Sequence, residues 1–254
     1  AVVGASGRPG SSGQHVFSQA LAEAAGPVYP INPAHATVGG QRAYPTITAV
    51  PDDVHLAVIL VPASALVGAI EDCIAARVRG AVVITSVEGA DIDIEALVGR
   101  ARRHGLRLIG PGSMGVASSH RDIGLHAALV PARLPAGPVA ISMQSGPLGA
   151  SLLRMADHLG MGLSWFVSLG DKCDISGNDL LQFWEDDERT RVIAMYTESF
   201  GNPRKFARIA RRVSRRRPIV AVRTGAAAVG PGGSALYHQA GLIEVPTVRT
   251  LLDV

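Results

Sequence analysis

Apolar residues along this chain fall into short, mostly unbroken runs, separated by stretches in which they recur every three or four positions. The runs Ala1–Ala5, Val28–Ile31, Leu56–Val61, Ala81–Thr85 and Leu106–Ile109 are of strand length. The intervening spacing predicts helices over Gln14–Ala25, Ala63–Ala76 and Ile92–His104. Strands that are apolar throughout and alternate with helices predict a parallel sheet covered on both faces. The first half, residues 1–130, is therefore expected to be a doubly wound, Rossmann-like α/β domain. The Pro- and Gly-rich stretch Val130–Pro138 breaks this rhythm and reads as a linker. The pattern then restarts with a strand at Val139–Ser142 and a helix from Gly146. Further strands are predicted at Trp165–Leu169, Val192–Thr197, Ile219–Arg223 and Leu242–Val245, giving a second α/β domain over 138–254.

Composition narrows the class. With 47% hydrophobic and 18% charged residues, the 254-residue chain has the make-up of a folded core rather than of a disordered segment. Its longest apolar runs fall well short of the roughly 18 residues of a membrane span, so no membrane partner is expected. No secretory signal pattern is present, and Ala1 opens inside an apparent strand, so the natural chain is expected to start further upstream. Cys73 and Cys173 have no metal-type spacing, and a disulfide framework is not expected. A reducing, cytoplasmic location follows as the expectation.

The net charge is only +3, yet nearly every base is arginine, the lysines being Lys172 and Lys205. One basic run, Arg204–Arg217, has Phe206, Ile209, Ala210 and Val213 at helical spacing. This predicts an amphipathic helix with its arginines on a solvated face. A nucleic-acid patch would read similarly, but no aromatic interleaving or DNA-binding motif accompanies the run, so no nucleic-acid partner is expected.

Two glycine turns carry the candidate chemistry. The first, VVGASGRPGSSG, leaves a strand and enters a helix with Gly4, Gly7, Gly10 and Gly13 spaced by threes. Glycines admit a ligand close to the backbone, and the helix N-terminus that follows offers free N–H groups to an anion. No trio of these glycines fits the dinucleotide fingerprint G-x-G-x-x-G. The second strand also ends in Ile31-Asn32-Pro33, without the carboxylate that would hold a ribose. A phosphorylated ligand other than NAD is the reading. The second turn, Gln144-Ser145-Gly146-Pro147-Leu148-Gly149, follows a buried strand. Ser145 is placed to cap a helix whose first turn holds Pro147, which makes a site for a phosphoryl group. A nucleophilic serine is the rival, but Met143 and Pro147 stand where the elbow G-x-S-x-G needs glycines.

Taken in order, VVGAS, VYPINP, LAVILVP, RLIGPGSMG, ISMQSGPLGAS, FVSLGDKCDISGNDLLQFWEDD, YTESFGNPRKFARIARR and YHQAGLIEV resemble the NDP-forming acyl-CoA synthetases, including the succinyl-CoA synthetase α-subunit. The resemblance implies a Rossmann-like CoA-binding domain followed by a flavodoxin-like succinyl-CoA synthetase domain. It implies that Gly4, Ala5, Ser6 and Gly13 face the CoA diphosphate, that Asn32 and Pro33 lie beside its nucleotide, and that Val61 and Pro62 flank it. Ser86 and Glu88 would line the pantetheine path. Two departures stand out. Ala34 and His35 follow Asn32-Pro33 where many members carry a lysine, and Gly112-Ser113 replace an Asn–Cys pair.

In this family the second turn holds the phosphoryl group of a relay. Acyl-CoA and phosphate give acyl phosphate and free CoA, and a histidine passes the phosphoryl group to ADP. Ser145 and Gly146 would hold that group, and Glu198 matches the glutamate that accepts a hydrogen bond from the histidine. The family's histidine lies in SHTG, which is absent here: AAAVGPGGS follows Gly225, and the resemblance resumes at Tyr237. His238 matches a non-catalytic position. Either a loop is missing between about Val229 and Ser234, which is the expectation, or the deletion is real. The resemblance also implies an ATP-grasp partner, in cis or as a subunit, which would bring ATP/ADP and Mg2+. No metal site is expected in this chain. A homo- or hetero-oligomer is expected. The second-domain wording most resembles versions fused to an acetyltransferase domain, so a CoA- or acyl-CoA-sensing regulatory region of such a fusion is the alternative.

Overall fold

The structure is a computed structural model that describes residues 1–132, 134–224 and 232–253. Its first sheet is wholly parallel, with strands β1 (Val2–Val3), β2 (Pro30–Ile31), β5 (Leu56–Ile59), β6 (Gly80–Val83) and β7 (Arg107–Ile109) in the order β2-β1-β5-β6-β7. Helices α1 (Ser12–Glu23), α2 (Ala63–Ala75) and α3 (Ile94–Arg103) make the crossovers. Each helix lies within two residues of its predicted span. Ser11 caps α1 by accepting from Gln14 N, and Asp93 caps α3 by accepting from Ala96 N, which places both starts. A small hairpin that periodicity did not predict, β3 (Thr37–Val38) with β4 (Gln41–Arg42), follows β2, and a 3₁₀ turn at Ile47–Ala49 follows the hairpin.

The second sheet has a parallel body of β10 (Ala136–Met143), β11 (Leu163–Ser168), β12 (Val192–Thr197), β13 (Ile219–Arg223) and β14 (Ile243–Glu244). An antiparallel hairpin, β8 (Gly115–Ser118) and β9 (Leu125–Ala128), extends it through β11, giving the order β14-β13-β12-β10-β11-β8-β9. Helices α4 (Gly146–His158), α5 (Gly177–Asp186), α6 (Pro203–Val213), α7 (Gly232–Ala240) and α8 (Thr250–Asp253) complete this half. Numbered within each half, the five parallel strands run 2-1-3-4-5 in both sheets, the doubly wound order that places ligands where strands 1 and 3 diverge.

The sheets do not divide where the linker was read. The changeover falls between Ile109 and Gly115, well ahead of Val130–Pro138, and β10 already begins at Ala136. The hairpin of residues 115–128 hydrogen-bonds to the second sheet while its β9 strand packs on α1 of the first half. Gln19 Nε2 donates to the Ala128 carbonyl at 2.8 Å across this contact. One hydrophobic core accordingly runs from Val2, Val16 and Phe17 through Ala127 to Val167 and Trp184. The Arg-rich helix buries Phe206, Ile209, Ala210 and Val213, as its spacing predicts. Three of its basic run also serve the fold: Arg212 grips Glu185 in a fork at 2.6–2.9 Å, Arg217 donates to the Glu185 carbonyl and Arg211 to that of Gln239. Among the described residues no helix is long and apolar enough to cross a membrane.

Asp174 locks the two halves. Its buried carboxylate accepts from Arg102 Nε at 2.6 Å, from Arg107 Nε at 3.0 Å and from Leu108 N at 2.7 Å. Burial alone pushes this carboxyl up, but the bonds from Arg107, Leu108 N and Arg102 outweigh it and hold the group below the usual carboxylate range. We predict that Asp174→Ala costs about 2–4 kcal/mol in urea unfolding, the guanidinium groups being half exposed and the Leu108 N–H left unpaired. The folded value lies below the unfolded one of about 3.9. The stabilisation is therefore complete above that range and is lost as pH falls through the folded value. A change under about 0.5 kcal/mol would show that the pair adds nothing net.

Candidate functional site

Both glycine turns sit at the switch points of their sheets. In the first half, Gly4 follows β1 and Leu60 follows β5, the two strands that part company there. Gly4 has φ +90°, and a Cβ on it would lie 3.0 Å from the Leu60 carbonyl carbon. Gly13 is tighter still: a Cβ would fall 2.2 Å from the Gly4 carbonyl oxygen. Only glycine lets the turn close on α1 in this way. Asn32 braces the opposite side, donating Nδ2 to the Ala5 carbonyl at 2.8 Å while its Oδ1 accepts from Ala34 N at 2.8 Å.

A cavity of about 440 Å³ opens beside this turn. Gly4, Asn32, Pro33, Val61 and Pro62 line it, joined by Pro45, Thr46, Ala65, Gly68, Ala69 and Asp72. Five of the ten residues expected to bind CoA are thus brought together. Ala5 is buried under the turn, and Gly13 packs beneath Gly4. Ser6 Oγ accepts from Arg8 N within its own loop. Ser86 and Glu88 lie one loop further on, outside the cavity lining, where Ser86 Oγ accepts from Glu88 N at 3.3 Å. Thr85 Oγ1 ties that loop back to the Val61 carbonyl at 2.6 Å.

In the second half, Gln144 follows β10 and Glu198 follows β12, again strands 1 and 3. Gln144 spans the gap. Its Oε1 accepts from Glu198 N at 2.7 Å and from Ser199 N at 3.0 Å, and its Nε2 donates to the Ser199 carbonyl at 3.1 Å. Lys172, in a left-handed turn at φ +46°, donates Nζ to the Ser199 hydroxyl and carbonyl from the other side. Burial lowers the Lys172 pKa, and the nearby Glu198 charge opposes that shift. Glu198 itself is exposed at the mouth.

Ser145 occupies the N-cap position of α4, and Pro147 stands in its first turn, as expected. The cap itself differs from expectation. The Ser145 side chain makes no capping bond, and Ser145 serves through its carbonyl, which accepts from Gly149 N at 3.0 Å. Gly146 faces Met114, whose Cγ would lie 3.1 Å from a Cβ there. The expected loop between about Val229 and Ser234 falls largely outside the described residues. Ahead of the undescribed residues, Thr224 N donates to the Thr197 carbonyl at 3.0 Å, one residue from Glu198. His238 is exposed on α7. Sequence reasoning missed Gln144, Lys172 and Asp72 as site residues. Gln144 belongs to the turn motif, but no local pattern marks its reach to Glu198, nor the roles of Lys172 and Asp72.

These features define a two-part α/β region with an anion-type glycine turn at each switch point. Residues 1–119 match the model of a CoA binding domain, and residues 136–254 match that of a succinyl-CoA ligase like flavodoxin domain. The chain is 33% identical over 272 residues to the acetate–CoA ligase (ADP-forming) of Methanocaldococcus jannaschii, all of it aligning with 38% of that protein. It is 33% identical over 279 residues to the α subunit of acetate–CoA ligase (ADP-forming) I of Pyrococcus furiosus, covering 60% of that subunit. The dinucleotide-forming acetyl-coenzyme A synthetase 1 of Ca. Korarchaeum cryptofilum, solved with phosphate and ADP, superposes with a TM-score of 0.91 at 33% identity. That match covers 99% of this chain and 59% of the other. The chain belongs to the NDP-forming acyl-CoA synthetase family, as an α-type region, and spans about two to three fifths of these relatives.

Gln144 makes three bonds to the segment that carries Glu198. We predict that Gln144→Ala lowers stability by about 1–3 kcal/mol, since two backbone N–H groups lose their acceptor. Amide exchange at Glu198 and Ser199 should accelerate accordingly. Unchanged protection of those two amides would show that the segment is held by its strand alone.

Proposed function

We propose that this chain is the CoA-handling, α-type region of an acid–CoA ligase (NDP-forming). The observation that carries the reading is the pairing of the two switch-point turns across one rigid seam. The Gly110–Ser113 segment leads from the first sheet into the second, and Gly112 N donates to the Thr85 carbonyl while Asp171 N donates to that of Pro111. The loop after β6 and the loop after β11 are thereby both hydrogen-bonded to the Gly110–Ser113 segment.

In this reading the first turn accepts the CoA diphosphate on the backbone beside Gly4, Ala5, Ser6 and Gly13. The cavity between Asn32-Pro33 and Val61-Pro62 takes the nucleotide end, and its mostly apolar wall suits an uncharged ring. The N-terminus of α4, at Ser145 and Gly146, holds a phosphoryl group. Glu198, fixed by Gln144, accepts a hydrogen bond from the imidazole that receives it. No histidine stands between Thr224 and Tyr237, so the relay requires a longer stretch there in the natural protein. An ATP-grasp partner in cis or in trans supplies ATP/ADP and Mg2+, in the cytoplasm.

Calorimetric titration with CoA should show one site per chain, and NAD should give no heat. Peptide mapping between Arg223 and Arg249 of the natural protein should then reveal an added histidine-bearing loop, labelled after incubation with γ-labelled ATP and the ATP-grasp partner. Absence of CoA binding would overturn the whole reading. CoA binding with an unlabelled, histidine-free loop would instead leave a CoA-sensing regulatory region, of the kind an acetyltransferase fusion would use.

A further inference from the structure

We propose that Asp72 is a positioning residue for CoA: from the last turn of α2 it holds the outer wall of the 440 Å³ cavity in its ligand-ready place. The inference rests on the CoA reading above and adds to it a residue that touches the wall rather than the reacting atoms.

The wall is the segment Pro45–Ala49, which crosses over α2 after the hairpin β3–β4. Pro45 and Thr46 face the cavity, whereas Ile47 is 2% exposed and anchors in the core. Residues 47–49 form a 3₁₀ turn, whose first N–H groups have no partner within the turn itself. Thr46 stands at the N-cap but makes no side-chain capping bond, because its hydroxyl is engaged with that of Thr48 at 2.9 Å.

Asp72 supplies the cap from another element. Its Oδ2 accepts from Ile47 N at 2.5 Å, and its Oδ1 accepts from Thr48 N at 3.4 Å and from Thr48 Oγ1 at 3.0 Å. The placement runs against local preference, since a carboxylate in the last turn faces the negative end of its own helix. Local energetics of α2 therefore do not account for an acid here, and the contact across to the wall does. The Ile47 side chain fixes the depth of the segment, while the carboxylate fixes its direction and hence the gap between Pro45 and the Pro62–Ala69 side. Three of the carboxylate's roughly four acceptor sites are thus spent on the wall. A preset gap of this kind spares the ligand the cost of ordering the wall.

The test is calorimetric titration of CoA into the whole chain and its variants, at a temperature where circular dichroism shows each to be folded. Asp72→Ala should raise the Kd for CoA about tenfold, the size of one charge-assisted hydrogen bond. Asp72→Asn, which keeps an acceptor for Ile47 N, should stay within about threefold of the wild type. Glu71→Ala, one residue away and paired with Arg100, should leave the Kd unchanged. If Asp72→Ala does not fold, Thr48→Val carries the test, with a rise of about threefold or more expected. A wild-type chain that binds CoA, with Asp72→Ala (or Thr48→Val in its place) binding equally well, would overturn the role of Asp72 and leave the CoA reading standing. A wild-type chain that does not bind CoA would overturn both.

Discussion

The architecture depends on a seam made almost entirely of backbone. Between the last strand of the first sheet and the loop after β11, three N–H groups donate to three carbonyls: Ile175 to Leu108, Cys173 to Gly110 and Asp171 to Pro111, at 2.9–3.2 Å. The approach is close enough that a Cβ on Gly170 would fall 2.1 Å from the Pro111 oxygen and 2.8 Å from Ser113 N. The line is built from backbone groups, with the Cys173 thiol added on the Gly110 carbonyl at 3.0 Å, so it cannot widen or slide without breaking several hydrogen bonds at once. Asp174 closes the end of it with two arginines and one more N–H. The relation between the two halves, and so between their two glycine turns, is set here.

Each half then repeats one solution. A parallel sheet in the order 2-1-3-4-5 leaves a crevice where neighbouring strands send their connections to opposite faces. In the first half the crevice is kept open by glycine, at Gly4 and Gly13, and bounded by prolines. In the second it is bridged by an amide, because Gln144 reaches across to the backbone of Glu198 and Ser199. The difference is chemical. An open, largely apolar cavity suits part of a large cofactor, whereas a braced loop with an exposed carboxylate suits a group held by a few directed hydrogen bonds. Lys172 adds a cation beneath that loop, at some cost in desolvation.

A turn is legible in the sequence, whereas a partnership between distant residues is not. Glycines at three-residue spacing after a strand announce a tight entry into a helix, and Gly4, Asn32, Pro33, Val61 and Pro62 are found around one cavity. Ser145 was placed correctly at the start of α4 but credited with a side-chain cap that it does not make. Gln144 sits 54 residues from Glu198, and Asp72 sits 25 from Ile47. Nothing in the neighbourhood of either residue reports a bond across such a separation.

Apolar runs specify the parallel strands, three- and four-residue spacing specifies the crossover helices of the first half, and Phe206, Ile209, Ala210 and Val213 specify the buried stripe of α6. Those are properties of a single segment meeting a single core, and periodicity records them. Where the chain passes from one sheet to the other is fixed by contacts between distant segments. Residues 115–128 follow the first half in sequence, yet they join β11 of the second. A strand's pattern tells which of its faces is buried but not which edge its N–H and C=O groups will pair with. That choice was made by the seam at Gly110–Ser113, which delivers Val116 and Ala117 beside Val167 and Phe166, and by α1, which packs on the β9 strand of the hairpin.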